Sequence, residues 1–75
     1  MTLNQNETNR SVRVVEIAGS RQVQRQLAQL GIHVGDIILV KRNAPLGGPL
    51  LIERNGVEVA IGRRIAECIT VEDVS

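Results

Sequence analysis

Apolar positions fall into short blocks whose period changes along the chain. Residues 12–17, VRVVEI, are dense in β-branched residues and short enough for one strand. The next block has a helical period: in RQVQRQLAQL, residues 21–30, Val23, Leu27 and Leu30 recur at i, i+4 and i+7 and share one face. Arg21, Gln22, Arg25, Gln26 and Gln29 point away from that face. Ser20 is placed to cap the helix, Gly31 to end it in the left-handed conformation, and Ile32 to fold back onto Leu27.

The second half reads as strands. Residues 36–42, DIILVKR, carry apolar side chains for both faces at one end and leave the core at Lys41-Arg42. Leu50 to Glu53 form a short apolar run, and Asn55-Gly56 is a strong two-residue hairpin signal. Beyond it VEVAI, residues 57–61, alternates, with Val57, Val59 and Ile61 on the inward face. Gly62 to Glu67 suffice for one helical turn, and residues 68–72, CITVE, form a last strand with Ile69 and Val71 inward. About five strands and one inserted short α-helix leave no room for parallel crossovers, so a mainly β fold is expected, a small antiparallel barrel whose closure removes exposed edges. Residues 1–11, polar except for Leu3, read as a flexible N-terminal tail ahead of a domain spanning 12–75.

Between the strands ending near Arg42 and starting near Leu50, Pro45 and Pro49 fix φ and remove donors, while Gly47-Gly48 permits positive φ at the tip. The loop is stiff at its shoulders and exposes Leu46 with part of Leu50. Two readings stay open: a plain hairpin connection, or a docking surface formed by Pro45, Leu46, Gly47, Gly48, Pro49 and Leu50 beside the basic Lys41-Arg42 end. The outward helix face with Arg21 and Arg25 extends the docking reading.

Composition narrows the chemistry. At 75 residues the chain is one domain, and no apolar run is long enough to span a bilayer. Nine Lys and Arg against eight Asp and Glu leave a formal charge of +1, short of the basic footprint of a nucleic-acid-binding domain. Phe, Tyr and Trp are absent, which removes both base-stacking platforms and the aromatic grooves that take proline-rich peptides. The one cysteine, Cys68, cannot form an internal disulfide, and no leader pattern is evident, which fits a reduced, cytoplasmic setting.

With one histidine and one cysteine, neither a His pair nor a CxxC metal motif exists within a monomer, and no Gly-Lys-Ser/Thr follows the Gly-Gly pair. An enzyme is not expected, and no cofactor is required. His33 is either an exposed loop side chain or a weak ligand for Fe²⁺, Mn²⁺ or Zn²⁺ completed by Asp36 or by another chain. Cys68 is either a small structural residue or a reactive or metal-binding thiol. Arg63-Arg64 is a solvated turn in preference to an anion site.

Residues 27–71 resemble the FeoA family, small cytosolic proteins associated with bacterial and archaeal ferrous iron uptake. The matching features are Leu30-Gly31-Ile32 with Val34-Gly35, the Ala-Pro-Leu-Gly-x-Pro loop at 44–49, Gly56, and Ala66-Glu67-Cys68-Ile69-x-Val71. Weaker similarity reaches back to Val12. The chain departs from the family at Gly48, where Asp is frequent, and at Ile61-Gly62, where Leu-Arg or Leu-Lys is frequent. The resemblance implies an SH3-like barrel and a non-catalytic accessory of FeoB, a membrane iron transporter with a cytosolic GTP-binding domain. It places the protein in the cytoplasm, peripheral to the inner membrane through that partner. The same barrel is similar to the C-terminal domain of DtxR-type repressors, which makes a stand-alone metal-sensing domain the alternative. Nucleic acid is not an expected partner, and a weak homodimer is compatible with the sequence.

Overall fold

The computed structural model describes residues 1–44 and 46–74. Five strands, β1 (Arg10–Ile17), β2 (Ile37–Asn43), β3 (Leu50–Arg54), β4 (Val57–Ile61) and β5 (Ile69–Asp73), make one antiparallel sheet in the order β4-β3-β2-β1-β5. Helix α1 (Arg21–Gln29) lies between β1 and β2, and the one-turn helix α2 (Arg63–Ala66) between β4 and β5. The expected mainly β architecture is observed, with one difference. The sheet is open, and no ladder joins β4 to β5 among the described residues.

Irregularities in two strands give the sheet its shape. The β1–β5 register shifts between Val14 and Glu16, and the β2–β3 register shifts between Val40 and Arg42. Each extra residue bends its strand and raises the local twist. This lets β1 pair with β2 through Arg10–Arg13 while Val12–Ile17 pair with β5. The concave side is closed by aliphatic residues alone: Leu3, Val12, Val14, Leu27, Ile32, Ile38, Val40, Leu50, Ile52, Ile61, Ala66, Ile69 and Val71 are buried.

The local signals around α1 act as the sequence requires. Ser20 Oγ accepts the Val23 N–H at 3.2 Å. At the other end Gly31 takes φ 81°, its N–H donates to Ala28 O, and the Ile32 N–H donates to Leu27 O. These two bonds form a Schellman motif. It also explains why Leu30, expected in the core with Val23 and Leu27, is 38% exposed while Ile32 is buried. Leu30 is the C-cap residue, and the chain reversal after it carries Ile32 into the core position instead. Along β4 the inward face grades from Ile61, buried beside α2, through half-buried Val59 to Val57, which lies exposed at the hairpin tip beyond the core.

Residues 1–11 are not a tail. Leu3 is fully buried within a 3-10 turn (Leu3–Gln5), and Arg10 and Ser11 already belong to β1. Thr2 bridges to Thr70, and the Val71 N–H donates to Met1 O at 2.8 Å, so this segment covers the outer edge of β5. A single aliphatic anchor outweighs the polar composition because the core has an opening at its site, and Asn6 secures the turn by bonding back to Leu3 O. Ser75, the last residue of the expected domain, lies outside the described residues.

Candidate functional site

The segment between β2 and β3 is held at its base and open at its tip. The Ala44 N–H donates to Pro49 O at 3.3 Å, closing the base next to the last β2–β3 pair, Asn43 with Leu50. Two side chains then fix that base to the rest of the molecule. Asn43 Nδ2 donates to Asn4 O at 3.0 Å and to Asn6 O at 3.1 Å, while Asn43 Oδ1 accepts Arg63 Nη2 at 2.6 Å. The same Arg63 nitrogen donates to Ala44 O at 2.8 Å. The loop base is thus stitched to the N-terminal segment and to α2, and Arg63 directs its charge onto neutral oxygens.

At the tip, Leu46 is wholly exposed, with a relative accessibility of 103%. Its φ is +58° and that of Gly47 is +78°. The left-handed region suits Gly47, but it costs a leucine about 1 kcal/mol or more. An aliphatic side chain is therefore presented to solvent at a position where burial gives nothing and the backbone is strained. Pro45, a predicted member of the surface, lies outside the described residues. Pro49 and Gly47 are exposed and Gly48 is half-buried. Leu50 is corrected: it is fully buried as the first residue of β3, facing the core opposite Ile61, and takes no part in the surface.

Arg21 and Arg25 lie exposed on α1, and no ion pair holds either among the described residues. Among the described residues no hydrogen bond joins them to the loop. The start of α1 approaches α2 through Cys68: a Cβ on Gly19 would lie 3.1 Å from Cys68 Sγ, and that sulfur sits 3.6 Å from Arg64 O. Cys68 is half-buried in this contact.

His33 and Asp36 are brought together, but not as an open ligand pair. Asp36 Oδ2 accepts the His33 N–H at 2.7 Å and Arg54 Nε at 3.1 Å, and His33 Nδ1 lies 3.6 Å from the same oxygen. That oxygen closes the turn entering β2 and ties it to β3. Among the described residues no group of three or more His, Cys, Asp or Glu is placed to hold a metal ion.

Sequence reading missed Asn43 and took Arg63 for part of a solvated turn, whereas Arg63 is half-buried and hydrogen-bonded to the loop base. Asn43 closes contacts 37 and 39 residues back along the chain, and Arg63 reaches 20 residues to it. No local periodicity marks such contacts. The one available signal was a polar Asn at the end of an apolar strand, next to a loop rich in Pro and Gly.

The FeoA domain family matches residues 1–73. The chain belongs to the FeoA family. A Methanocaldococcus jannaschii protein named for Fe(2+) transport, as transport protein A, is 43% identical over 56 residues, 75% of this chain and 65% of that protein. The chain thus spans a little less than two thirds of that relative. The solution structure of FeoA from Chlorobium tepidum superposes with a TM-score of 0.88 at 33% identity, covering all of this chain and 71% of that one. This FeoA chain also superposes on ScaR, solved in a crystal structure with bound Zn²⁺, with a TM-score of 0.90 at 20% identity; 99% of this chain and 37% of that one are covered, which establishes a shared SH3-like fold. No helix among the described residues is long and apolar enough to cross a membrane.

Proposed function

We propose that this FeoA protein is a non-catalytic accessory of ferrous iron uptake that docks on a FeoB-type membrane transporter through the Leu46 loop. The observation that carries the reading is Leu46 itself, fully exposed at positive φ on a loop whose base is hydrogen-bonded to two other parts of the fold. Backbone strain at an exposed apolar tip, supported by a rigid base, is the pattern of a preorganised contact. Family membership supports the iron-transport setting and a cytoplasmic location, with the membrane reached only through the partner. Iron is the transporter's cargo in this reading. Arg21 and Arg25, exposed and in no ion pair among the described residues, and the two glycines that follow Leu46 complete the contact.

Docking changes the transporter only to the extent that this protein binds two of its conformations unequally. Affinity capture from solubilised membranes of iron-starved native cells tests the proposal, with Leu46→Asp as the control. Recovery of a membrane Fe²⁺ transporter carrying a GTP-binding domain, lost in the control, supports it. Equal recovery by both proteins removes the loop from the interface, and recovery of no such transporter removes the docking role.

A further inference from the structure

The two edges of the sheet are treated differently. The outer edge of β5 is covered by Met1 and Thr2. The outer edge of β4 is not. Asn55 and Gly56, at φ 52° and 82°, make a two-residue turn in which Arg54 and Val57 close the hairpin as a bonded pair. Bonding alternates from there, so Val57, Val59 and Ile61 point their N–H and C=O groups at β3, while those of Glu58 and Ala60 point outward. Among the described residues nothing bonds to them.

We infer that this edge is a self-association site, where β4 pairs antiparallel with β4 of a second copy about a two-fold axis at Val59. In that register Glu58 and Ala60 of one copy exchange both backbone hydrogen bonds with Ala60 and Glu58 of the other. All outward groups of the edge are then satisfied. The charges select this register: an axis at Glu58 would set the two Glu58 carboxylates opposite each other, already across from Glu53 on β3, and like charges in directly opposed positions are destabilising. An axis at Ala60 would need the Gly62 carbonyl, which is bonded to the Ala66 N–H. About Val59, each Glu58 meets the small Ala60. Val59 lies opposite its own copy, and exposed Val57 falls opposite Ile61 of the partner in the register. Because β5 is already covered, edge-to-edge pairing ends at two copies and does not propagate into a fibre. One short strand per copy buries less than the ~1,200 Å² of a stable interface, so the dimer is transient and forms at high concentration. The inference stands independently of the docking surface, which lies on the 44–49 loop and α1.

The test is translational diffusion measured by NMR between about 0.05 and 1 mM, a range that brackets a weak dimer. Apparent mass should rise toward twofold, with concentration-dependent shifts at the Glu58 and Ala60 amides. Ala60→Pro removes an outward donor and leaves the β3–β4 ladder bonds in place, because proline is tolerated on a strand edge. It should stay folded and monomeric throughout. Since that variant could lose its fold, a second measurement is made in a Cys68→Ser background. Val59→Cys lies at the expected non-hydrogen-bonded pair, a separation that a disulfide spans. It should cross-link under mild oxidation at least tenfold faster than Val34→Cys, an exposed position on a different loop. A constant monomer mass, or equal cross-linking at positions 59 and 34, overturns the inference and leaves a strand from a different protein as the occupant of this edge.

Discussion

The first nine residues and the loop at 44–49 invite opposite expectations, and the structure reverses the first while leaving Leu46 exposed as the loop's turn residues suggest. The N-terminal segment is polar, yet Leu3 is buried, Thr2 bridges to β5 and its carbonyls at Asn4 and Asn6 accept Asn43. The loop offers a leucine that could cover apolar surface, yet Leu46 stands clear of the molecule. The difference lies in what each segment faces. One aliphatic side chain entering a core vacancy, with carbonyls satisfied by a neighbouring Asn, orders a polar stretch. A turn held by its base alone cannot swing its tip residue inward. Asn43 couples the two, since it holds the N-terminal segment with one end and Arg63 with the other.

The strongest way to break this contrast is Leu3→Ala. Removing a fully buried leucine should cost about 3 kcal/mol in urea unfolding and speed hydrogen exchange at the Val71 amide, which the N-terminal segment covers. A loss below about 1 kcal/mol would mean that the anchor is dispensable and the segment a tail after all. Asn43→Ala comes next. It removes three side-chain hydrogen bonds and should cost about 2 kcal/mol, with faster exchange in both regions together. Faster exchange in only one of them would show that Asn43 does not couple them.

Arg63→Lys keeps the charge but shortens the side chain and repositions the nitrogen that donates to both Asn43 Oδ1 and Ala44 O. A stability loss of about 1 kcal/mol is expected, with chemical-shift changes at Ala44 and Leu46 and little change elsewhere. Wild-type shifts at the loop would count against Arg63 as its brace. The smallest effect belongs to Leu46→Gly: relieving positive φ offsets the added chain entropy, so stability should move by no more than about 0.5 kcal/mol. A large destabilisation would show that Leu46 has a packing role that its exposure denies.

What the sequence alone determined is the local grammar. Ser20 capping α1, the Gly31-Ile32 reversal, the Asn55-Gly56 hairpin and the alternation in β4 each rest on partners within a few residues, so the chain specifies them without reference to anything distant. The Pro and Gly flanking Leu46 likewise made the loop legible as a loop. Tertiary structure decided which apolar residues the core would accept: Leu3 in, Leu30 and Val57 out. It also decided that the sheet stays open, and that Asn43 and Arg63 brace the candidate site across 20 to 39 residues. Core positions are limited in number and shape, and contacts between distant residues carry no periodic mark, so burial and long-range hydrogen bonding appear only once the sheet has bent and the chain has returned upon itself.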